Sequence, residues 1–411
     1  MSEVAQVPQL RFPEFSGEWE DGKLGNYGNL INGLTYSPDN IVDDGLLVLR
    51  SSNVQNGQIY LNDNVYVNLD VDDAALTRED DILICVRNGS KRLIGKSTII
   101  NKNLPKSTHG AFMTVFRGES NKFISHWFHS SIYYKEVHKN LGATINSING
   151  SDLKKFKTIF PLKPEQQKIA AFLTAVDNKI EQLSKKKALL GEYKKGLMQQ
   201  IFSQAIRFKA DDGSAFPVWE EKKLGDIGHT FNGLTGKTKD DFGRGKPYIQ
   251  YMQIFESSKI NIDNFGLVDV RDDENQKVAQ YGDVFFTTSS ETPDAVGYSS
   301  VLLDDIDKLY LNSFCFGFRP NSLDELSPNF AQFLLRSANF RRRVVRLAQG
   351  STRYNMSKVQ LMKEVISLPC LKEQTKIANF LSSIDSKIEQ VSKQLDESKQ
   401  FKKALLQQMF V

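Results

Sequence analysis

The sequence predicts an α/β (α+β) protein, in which two mixed α/β domains are joined by two long helices that pair as an antiparallel coiled coil, with an approximate two-fold relation between the halves. Three observations predict it: a long internal repeat, heptad-patterned segments at equivalent places in both copies, and short strand-like runs elsewhere. The expected boundaries are 1–160 for the first domain, 161–205 for the first helix, 206–214 for a polar linker, 215–368 for the second domain and 369–411 for the second helix.

Two segments of the sequence occur twice. Residues Trp19 to Thr35 match Trp219 to Thr235 at 10 of 17 positions, and Pro161 to Phe202 match Pro369 to Phe410 at 21 of 42 positions. Because their order is kept, the chain consists of a head, a middle and a helix, repeated once. A Phe-Pro pair precedes each head, at Phe12-Pro13 and at Phe216-Pro217.

The two middles differ from each other. Arg50 to Asn53 stand opposite Gln250 to Gln253, and only a frame such as FMTVFR from Phe112 against FCFGFR from Phe314 is shared. We therefore expect a common scaffold that carries two different binding surfaces.

Each helical segment carries a heptad seam, in which apolar residues recur at alternating intervals of four and three. A single seam is as typical of a helix packed on its own domain as of a coiled coil. Two matched seams of about 33 residues, roughly 50 Å long at about 1.5 Å per residue, favour burial on each other. Glu165 and Glu373 suit the positive ends at which these helices start. The seam positions are Ile169, Leu173, Val176, Ile180, Leu183, Lys187, Leu190, Lys194, Leu197 and Ile201, then Ile377, Leu381, Ile384, Ile388, Val391, Leu395, Ser398, Lys402, Leu405 and Met409.

Polar residues interrupt both seams. Lys187, Lys194, Lys402 and Ser398 should cost stability, and they either set the register or mark where the seam opens toward a partner. An antiparallel pair is favoured because it places the two domains at opposite ends.

The remaining residues predict mixed α/β domains, in which short strands alternate with Gly- and Asn-rich turns. Each domain is expected to close with one helix that stops at a glycine, Gly142 in the first copy and Gly350 in the second. The strand-like runs are LLVLR from Leu46, DILICV from Asp81, FMTVF from Phe112, KPYIQY from Lys246 and DVFFTT from Asp283.

Composition narrows the class of protein. With 40% hydrophobic and 25% charged residues, the chain is an ordinary globular protein. Cys85, Cys315 and Cys370 are too far apart for a zinc site or a disulfide framework, which suits a reducing compartment. Because no signal-like start and no run of about 18 apolar residues is present, we expect a cytoplasmic protein with no membrane association.

A formal net charge of +4 indicates no partner, but the cations are unevenly spread. Residues 82–118 and 326–363 contain no Asp or Glu, so each copy has one positive zone. One such zone is usually a solvated face, but its recurrence beside Asn, Gln, Ser and Thr favours nucleic acid as the ligand. The cations are Arg87, Lys91, Arg92, Lys96, Lys102, Lys106 and Arg117, then Arg336, Arg341, Arg342, Arg343, Arg346, Arg353, Lys358 and Lys363.

Signals of catalysis are weak. Gly89 to Ser97 resemble a phosphate-binding loop, but the glycines are one residue too far apart for G-x-x-x-x-G-K-S. His126 and His129 could bind a metal, yet their aromatic surroundings favour an ordinary helix surface. No dinucleotide fingerprint or Asn-Pro-Pro-aromatic tetrad is present, so the sequence predicts a recognition protein without a catalytic or metal site.

These residues resemble the specificity subunits of bacterial type I restriction-modification enzymes, over nearly the whole chain. Each head opens with W-x4-L-G, at Trp19 to Gly25 and Trp219 to Gly225. Each middle ends in G-[AS]-T, and E-Q-x-K-I-A-x-F-L-x3-D opens each helix. These motifs are Gly142-Ala143-Thr144 with Glu165 to Asp177, and Gly350-Ser351-Thr352 with Glu373 to Asp385. The copies differ after the threonine, where Ile145 stands in the first and Arg353 in the second.

The resemblance implies a non-catalytic subunit that directs restriction and DNA methylation. Its two target-recognition domains would each read one half of a bipartite, asymmetric site in double-stranded DNA, with the coiled coil as spacer. It also implies assembly with two methyltransferase subunits and with restriction subunits. The chain itself is expected to bind no cofactor, because S-adenosylmethionine, ATP and Mg would belong to those partners.

We predict that variable loops inside the repeated frame contact DNA, where cations can anchor phosphates and polar groups can read base edges. Ser, Thr and Asn at such places also serve as turn and cap residues. In the first domain the candidates are Arg50, Ser52, Asn53, Arg87, Asn88, Lys91, Arg92, Thr144 and Asn146. In the second they are Lys237, Gln250, Tyr251, Gln253, Ser289, Ser290, Arg342, Arg346, Thr352, Arg353, Tyr354 and Asn355.

Two other functions stay open on the sequence. A protein scaffold could join partners through the coiled coil without touching DNA, and the basic zones would then be solubilising faces. An NTPase or nuclease would need a catalytic site that the sequence does not display. A steep loss of DNA affinity with salt separates a DNA binder from a scaffold.

Overall fold

The computed structural model describes residues 7–141 and 146–411. The strands are β1 Glu20–Lys23, β2 Gly28–Asn32, β3 Ile41–Val42, β4 Leu46–Leu49, β5 Val54–Gln55, β6 Gln58–Ile59, β7 Tyr66–Val67, β8 Ile82–Cys85, β9 Ser97–Ile99, β10 Ser107–His109, β11 Met113–Gly118, β12 Lys157–Phe160, β13 Glu220–Lys223, β14 Gly228–Asn232, β15 Phe242–Ile249, β16 Gly266–Val268, β17 Val284–Thr287, β18 Ser289–Ser290, β19 Ser299–Val301, β20 Tyr310–Leu311, β21 Cys315–Pro320, β22 Ala348–Gln349, β23 Tyr354–Met356 and β24 Val365–Leu368. The helices are α1 Asn121–Trp127, α2 Ser131–Asn140, α3 Gly150–Lys154, α4 Lys163–Phe202, α5 Leu224–Ile227, α6 Tyr251–Glu256, α7 Pro328–Leu334, α8 Ala338–Arg346, α9 Lys358–Leu361 and α10 Leu371–Gln408. Among the residues described, no helix has the length and hydropathy needed to cross a membrane.

The chain divides into two compact units. Unit 1 consists of Met1–Ser184 and Lys393–Val411, and unit 2 consists of Lys185–Ser392. Each unit therefore contains one mixed α/β domain together with a segment of α4 and a segment of α10. The two-fold relation between the halves stays a prediction.

Both units share a set of related sheets, so the predicted strands and the repeat are confirmed, although the second sheet has four strands in unit 1 and three in unit 2. A four-stranded antiparallel sheet has the order β2-β11-β8-β9 in unit 1 and β14-β21-β17-β19 in unit 2. A second, mixed sheet has one parallel contact, between β4 and β10 in unit 1 and between β15 and β20 in unit 2. The first strand of each domain pairs with its last, β1 with β12 and β13 with β24.

The segment that the sequence predicted as one closing helix forms two short helices in each domain, α1 and α2 in unit 1 and α7 and α8 in unit 2. Ser130 accepts a hydrogen bond from Tyr133 N at 3.3 Å and begins α2, and Ser337 accepts one from Phe340 N at 3.3 Å and begins α8. A serine N-cap has extended backbone, so it interrupts a helix even where the apolar period continues. The predicted stop at Gly350 is wrong, because residues 348–349 form β22, while Gly142 lies outside the described residues.

The two long helices pair through their seams in each unit, and every seam position is buried or half-buried. In unit 2, Lys187 Nζ donates to Ser392 Oγ at 2.8 Å, and Lys194 Nζ lies 2.6 Å from Asp385 Oδ1. From Lys187 to Lys194 the contacts advance seven residues along α4, while their partners on α10 step back seven residues, from Ser392 to Asp385. The two helices are therefore antiparallel. In unit 1, Lys402 pairs with Asp177 at 2.5 Å. The seam lysines therefore have specific partners that fix the register.

Each long helix begins with a buried glutamate that anchors the peptide before its domain. Glu165, 4% exposed, receives two hydrogen bonds of 2.8 Å from Arg11. Glu373, fully buried, receives bonds of 2.8 and 2.7 Å from Arg207 and one of 3.0 Å from Trp219 Nε1. A buried carboxylate is costly without such partners, so each arginine fixes its segment to a helix start.

The residue after each of these arginines also packs on the long helix. Phe12 meets Phe172 edge-on, with ring centroids 5.7 Å apart. Phe208 meets Phe380 in the same way at 5.5 Å. The ring contacts identify Phe208 as the counterpart of Phe12, although the sequence places Phe216 opposite Phe12.

The core of unit 1 includes the end of the chain. The Phe410 ring lies 5.5 Å from that of Phe123, close to Trp127 and Phe160 in a buried aromatic cluster. The core of unit 1 is therefore built from two segments that lie far apart in the sequence. The buried residues contributed by the last turns of α10 and the following residues are Leu405, Leu406, Met409 and Phe410.

We expect Phe410→Ala to destabilise unit 1 by about 3–5 kcal/mol, because it leaves a cavity among aromatic rings. Phe401→Ala is the matched control, since Phe410 is 3% exposed and Phe401 is 53% exposed. The control should change the free energy of unfolding by less than about 0.5 kcal/mol. Hydrogen exchange of the amides of residues 7–184 measures the effect, and equal protection in the two variants would contradict the core position of Phe410.

We expect Arg207→Ala to lower the free energy of unfolding by about 3 kcal/mol, because the buried carboxylate of Glu373 loses its charged partner. Adding Glu373→Gln should recover part of this loss by removing the stranded charge. Arg244→Ala is the control, since Arg244 is 75% exposed and pairs with the exposed Asp269, and it should cost at most about 1 kcal/mol. Urea unfolding measures all three, and equal losses for the two arginines would refute the anchor.

Candidate nucleic-acid interface

Three loop segments of unit 1 meet beyond the carboxyl ends of β4 and β8. The Asn88 side-chain amide donates to Ser51 Oγ at 3.0 Å, and Asn88 N donates to Asn146 O at 3.2 Å. Arg87 and Ser147 form an isolated β-bridge. Most of the first domain's predicted residues therefore come together. We call residues 50–53, 86–92 and 146–148 the first recognition edge.

The equivalent segments meet in unit 2, beyond the ends of β15 and β17. Strand β18 pairs with β23, so Asn355 lies opposite Ser289 and Tyr354 opposite Ser290. The Tyr251 hydroxyl donates to Ser289 O at 2.7 Å, and burial raises the pKa of Tyr251, which keeps the hydroxyl protonated. We call residues 250–253, 288–290 and 352–356 the second recognition edge.

Both edges present polar and cationic groups to solvent. In the first, Lys91 and Arg92 lie on an exposed 3-10 turn, and the half-buried Arg50 forms an ion pair of 2.8 Å with Asp63. Such groups can approach phosphates and base edges. The exposed predicted residues are Ser52, Arg87, Lys91 and Arg92 in the first edge, and Thr352, Arg353 and Asn355 in the second. Thr144 lies outside the described residues.

Asn53 has a structural position. Its side chain is fully buried, its Oδ1 accepts from Arg50 N at 2.9 Å, and its Nδ2 donates to Tyr60 O at 3.0 Å. An amide engaged in this way closes the loop, which favours support of the first edge over contact with a ligand.

Lys237 also has its charge satisfied inside its domain. Its side chain is 7% exposed, and its Nζ lies 2.6 and 2.7 Å from the two carboxylate oxygens of Glu274. Hydrogen bonds from Lys237, Gln276 and the Arg271 N–H lower the pKa of Glu274 to about 2. This ion pair favours a structural role for Lys237.

The second edge contains buried polar atoms that lack a partner in the part of the chain the structure describes. Gln253 is 6% exposed, and both its amide nitrogen and its amide oxygen are without a hydrogen bond, as is Ser289 Oγ. Buried polar groups are expensive to leave without a hydrogen bond. Gln250 is half-buried beside them.

Fewer cations are free to bind an anion than the two positive zones of the sequence contain. Arg117 is held by Asp81 through bonds of 2.8 and 2.7 Å. Arg336 donates to the carbonyls of residues 254, 255, 257 and 299, and burial lowers its pKa to about 10. Arg342 and Arg346 are exposed on α8, where Arg342 contacts Asn339 at 2.5 Å. Only part of each zone is therefore available to an anion.

The two candidate histidines lie inside unit 1. His126 Nε2 is 3.2 Å from Thr174 Oγ1, and burial lowers the pKa of His126 to about 3, so the ring is neutral. His129 Nδ1 is 2.7 Å from Ser125 O. Within residues 7–141 and 146–411, no three His, Cys, Asp or Glu side chains are grouped closely enough to hold a metal ion.

Sequence reasoning missed Ser51 and Ser147, which connect the loops of the first edge. Ser51 lies between the predicted residues Arg50 and Ser52, and this position was the only feature of the sequence that could have indicated its role.

Comparison with known proteins identifies the family to which both copies of the repeat belong. A family model described as the type I restriction modification DNA specificity domain matches residues 16–191 and 218–398, one match for each copy of the repeat. The chain belongs to this family. It is a specificity subunit of a type I restriction-modification system, and the non-catalytic role expected from the sequence is that of the family.

Relatives match along most of this specificity subunit. The EcoKI specificity subunit of Escherichia coli (strain K12) is 25% identical over 406 residues, covering 92% of this chain and 85% of that protein. The MjaVIII specificity subunit of Methanocaldococcus jannaschii is 26% identical over 432 residues, covering 97% and 92%. The crystal structure of the type I S subunit from M. genitalium has a TM-score of 0.60 at 15% identity, covering 98% and 99%, so it shares the fold.

Arg353→Ala and Lys237→Ala should separate contact from support. Arg353 is exposed on the second edge, so its loss should weaken DNA binding by about 1–3 kcal/mol without changing the melting temperature. Lys237→Ala should lower the melting temperature and leave the DNA affinity of the folded protein unchanged. Fluorescence anisotropy and thermal unfolding test both variants, and reduced affinity with unchanged melting in Lys237→Ala would move Lys237 back into the interface.

Proposed function

We propose that this specificity subunit reads a bipartite, asymmetric sequence in double-stranded DNA, one half with each recognition edge. The observation that carries the proposal is that the two edges share a backbone frame and differ in their side chains. In the first edge Arg87 pairs with Ser147, and at the equivalent place in the second edge Ser289 pairs with Asn355. Likewise, Arg50 follows β4 in unit 1, whereas Gln250 follows β15 in unit 2. One frame with two sets of side chains suits two different half-sites.

The chemistry of each edge suggests its preference. The first edge carries Arg87, Lys91 and Arg92, and an arginine fork matches the O6 and N7 acceptors of guanine. The second edge carries the amides of Gln250 and Asn355, which match the N6 and N7 groups of adenine.

Partners complete the proposed activity. Two methyltransferase subunits would dock on this chain, with restriction subunits added for cleavage, and the paired helices would set the spacing of the half-sites. S-adenosylmethionine, ATP and Mg would bind to those partners. Family membership supports this assembly, as does the likeness to a solved structure from work on assembly of the type I R-M system, with a TM-score of 0.54 and 17% identity.

Methylation mapping tests the proposal directly. The chain is co-expressed with the methyltransferase subunit of the same host, and methylated positions are read across the genome by single-molecule sequencing. We expect a bipartite asymmetric motif that disappears without this chain. Arg87→Ala should relax bases in one half only, by about 1–3 kcal/mol for a guanine contact. Methylation that is independent of this chain would refute the proposal and favour a scaffold.

A further inference from the structure

Two phenylalanines are exposed at the same place in both units. Phe112 is 56% exposed and Phe314 is 61% exposed. Each ends a three-residue turn, 110–112 before β11 and 312–314 before β21. A single exposed apolar side chain needs no explanation. The recurrence of the same ring in two domains whose loops otherwise differ does need one.

The two turns are closed by the same hydrogen bonds. Met113 N donates to Gly110 O at 2.8 Å, and Cys315 N donates to Asn312 O at 3.1 Å. The first residue of each turn is tied to the strand that leads into the recognition edge. Gly110 N donates to Leu49 O at 3.0 Å, and the equivalent bond from residue 312 to residue 249 is also 3.0 Å.

The carbonyl of each phenylalanine is tied to the other strand of its edge. Phe112 O accepts from Val86 N at 3.0 Å and from Arg87 N at 3.1 Å. Phe314 O accepts from Thr288 N at 3.1 Å. Each ring is therefore presented by a rigid turn between the two strand ends that carry the recognition edge of its own unit.

The Asn-Gly-Leu-Thr motif, which is identical in the two heads, supports these turns. A Cβ added to Gly33 would lie 2.1 Å from Gly110 O, and a Cβ added to Gly233 would lie 2.1 Å from Asn312 O. The following leucines donate their backbone N–H groups to residues 109 and 311, at 2.7 and 2.8 Å. Only glycine permits this approach, so both copies keep a motif that holds the phenylalanine in place.

We propose that Phe112 and Phe314 contact the DNA bases directly, each as a wedge that unstacks one base step of the half-site read by its own unit. This inference rests on the proposed function. A partner protein is less well suited to the first position, because the Arg87 guanidinium, which can also reach a phosphate, lies 5.8 Å from the Phe112 ring centroid. An apolar ring among cations and amides matches a base stack bordered by phosphates.

The test uses the complex of this chain with its methyltransferase subunits and a duplex carrying the mapped motif. The fluorescent base 2-aminopurine replaces successive bases in each half-site, and its emission rises where stacking is lost. We expect wild type to show one bright position in each half besides the methylated position, which the methyltransferase subunits flip out of the stack. Phe112→Ala should abolish one of them and Phe314→Ala the other, with affinity reduced about 5- to 150-fold, as expected for about 1–3 kcal/mol of base stacking. Phe112→Trp, which keeps an aromatic ring, should show the bright 2-aminopurine position that Phe112→Ala loses.

Phe401→Ala is the matched control for loss of an exposed ring, and it should bind and fluoresce as wild type. Thermal unfolding of each variant confirms folding, and mass photometry measures assembly with the methyltransferase subunit. Three outcomes would overturn the inference. Variants that bind and fluoresce as wild type would exclude a base contact, and variants that lose assembly but keep DNA contacts would assign the rings to protein docking. A wild-type complex without sequence-specific binding would reject the proposed function itself.

Discussion

Burial of two interrupted apolar seams constrains each unit, because the lysines within them need partners at fixed places. In unit 2, a slip of one heptad would leave Lys194 without Asp385 and the seam with an unpaired charge. The buried glutamate at the start of each long helix adds a second constraint, since Arg11 and Arg207 hold the peptide that leads into each domain. Register and attachment together determine where each recognition edge stands on its own pair of helix segments.

Much of this architecture could be predicted because its signals are local or periodic. The seams, the strands and the order of elements all follow from patterns that repeat within short stretches of sequence. The break between α1 and α2, and between α7 and α8, could not be predicted in this way. Ser130 and Ser337 lie within an apolar period that continues past them, so the pattern indicates one uninterrupted helix. Glu165 could be read only as a residue suited to a helix start, because its partner lies 154 residues away.

The candidate site was predicted as a set of loops better than as a set of residues. Variation between the two middles located the segments that meet, since only differing loops on a shared frame can read different ligands. Exposure of a single side chain depends on tertiary neighbours, so the burial of Asn53 and the ion pair of Lys237 were invisible in the sequence. Conversely, the shared frame around Phe112 and Phe314 was visible, but the outward direction of those rings was not.

The discontinuity of unit 1 has a consequence for biosynthesis. All residues of unit 2 have been translated once Ser392 is added, whereas unit 1 lacks its last helical segment until the end of the chain. Because Lys393–Val411 is translated last, the aromatic cluster around Phe123 receives Phe410 only after every residue of unit 2 has been made. A polypeptide terminated between Ser392 and Leu405 would therefore hold all residues of unit 2 but leave the core of unit 1 open, and chaperones and proteases recognise such exposed apolar surface.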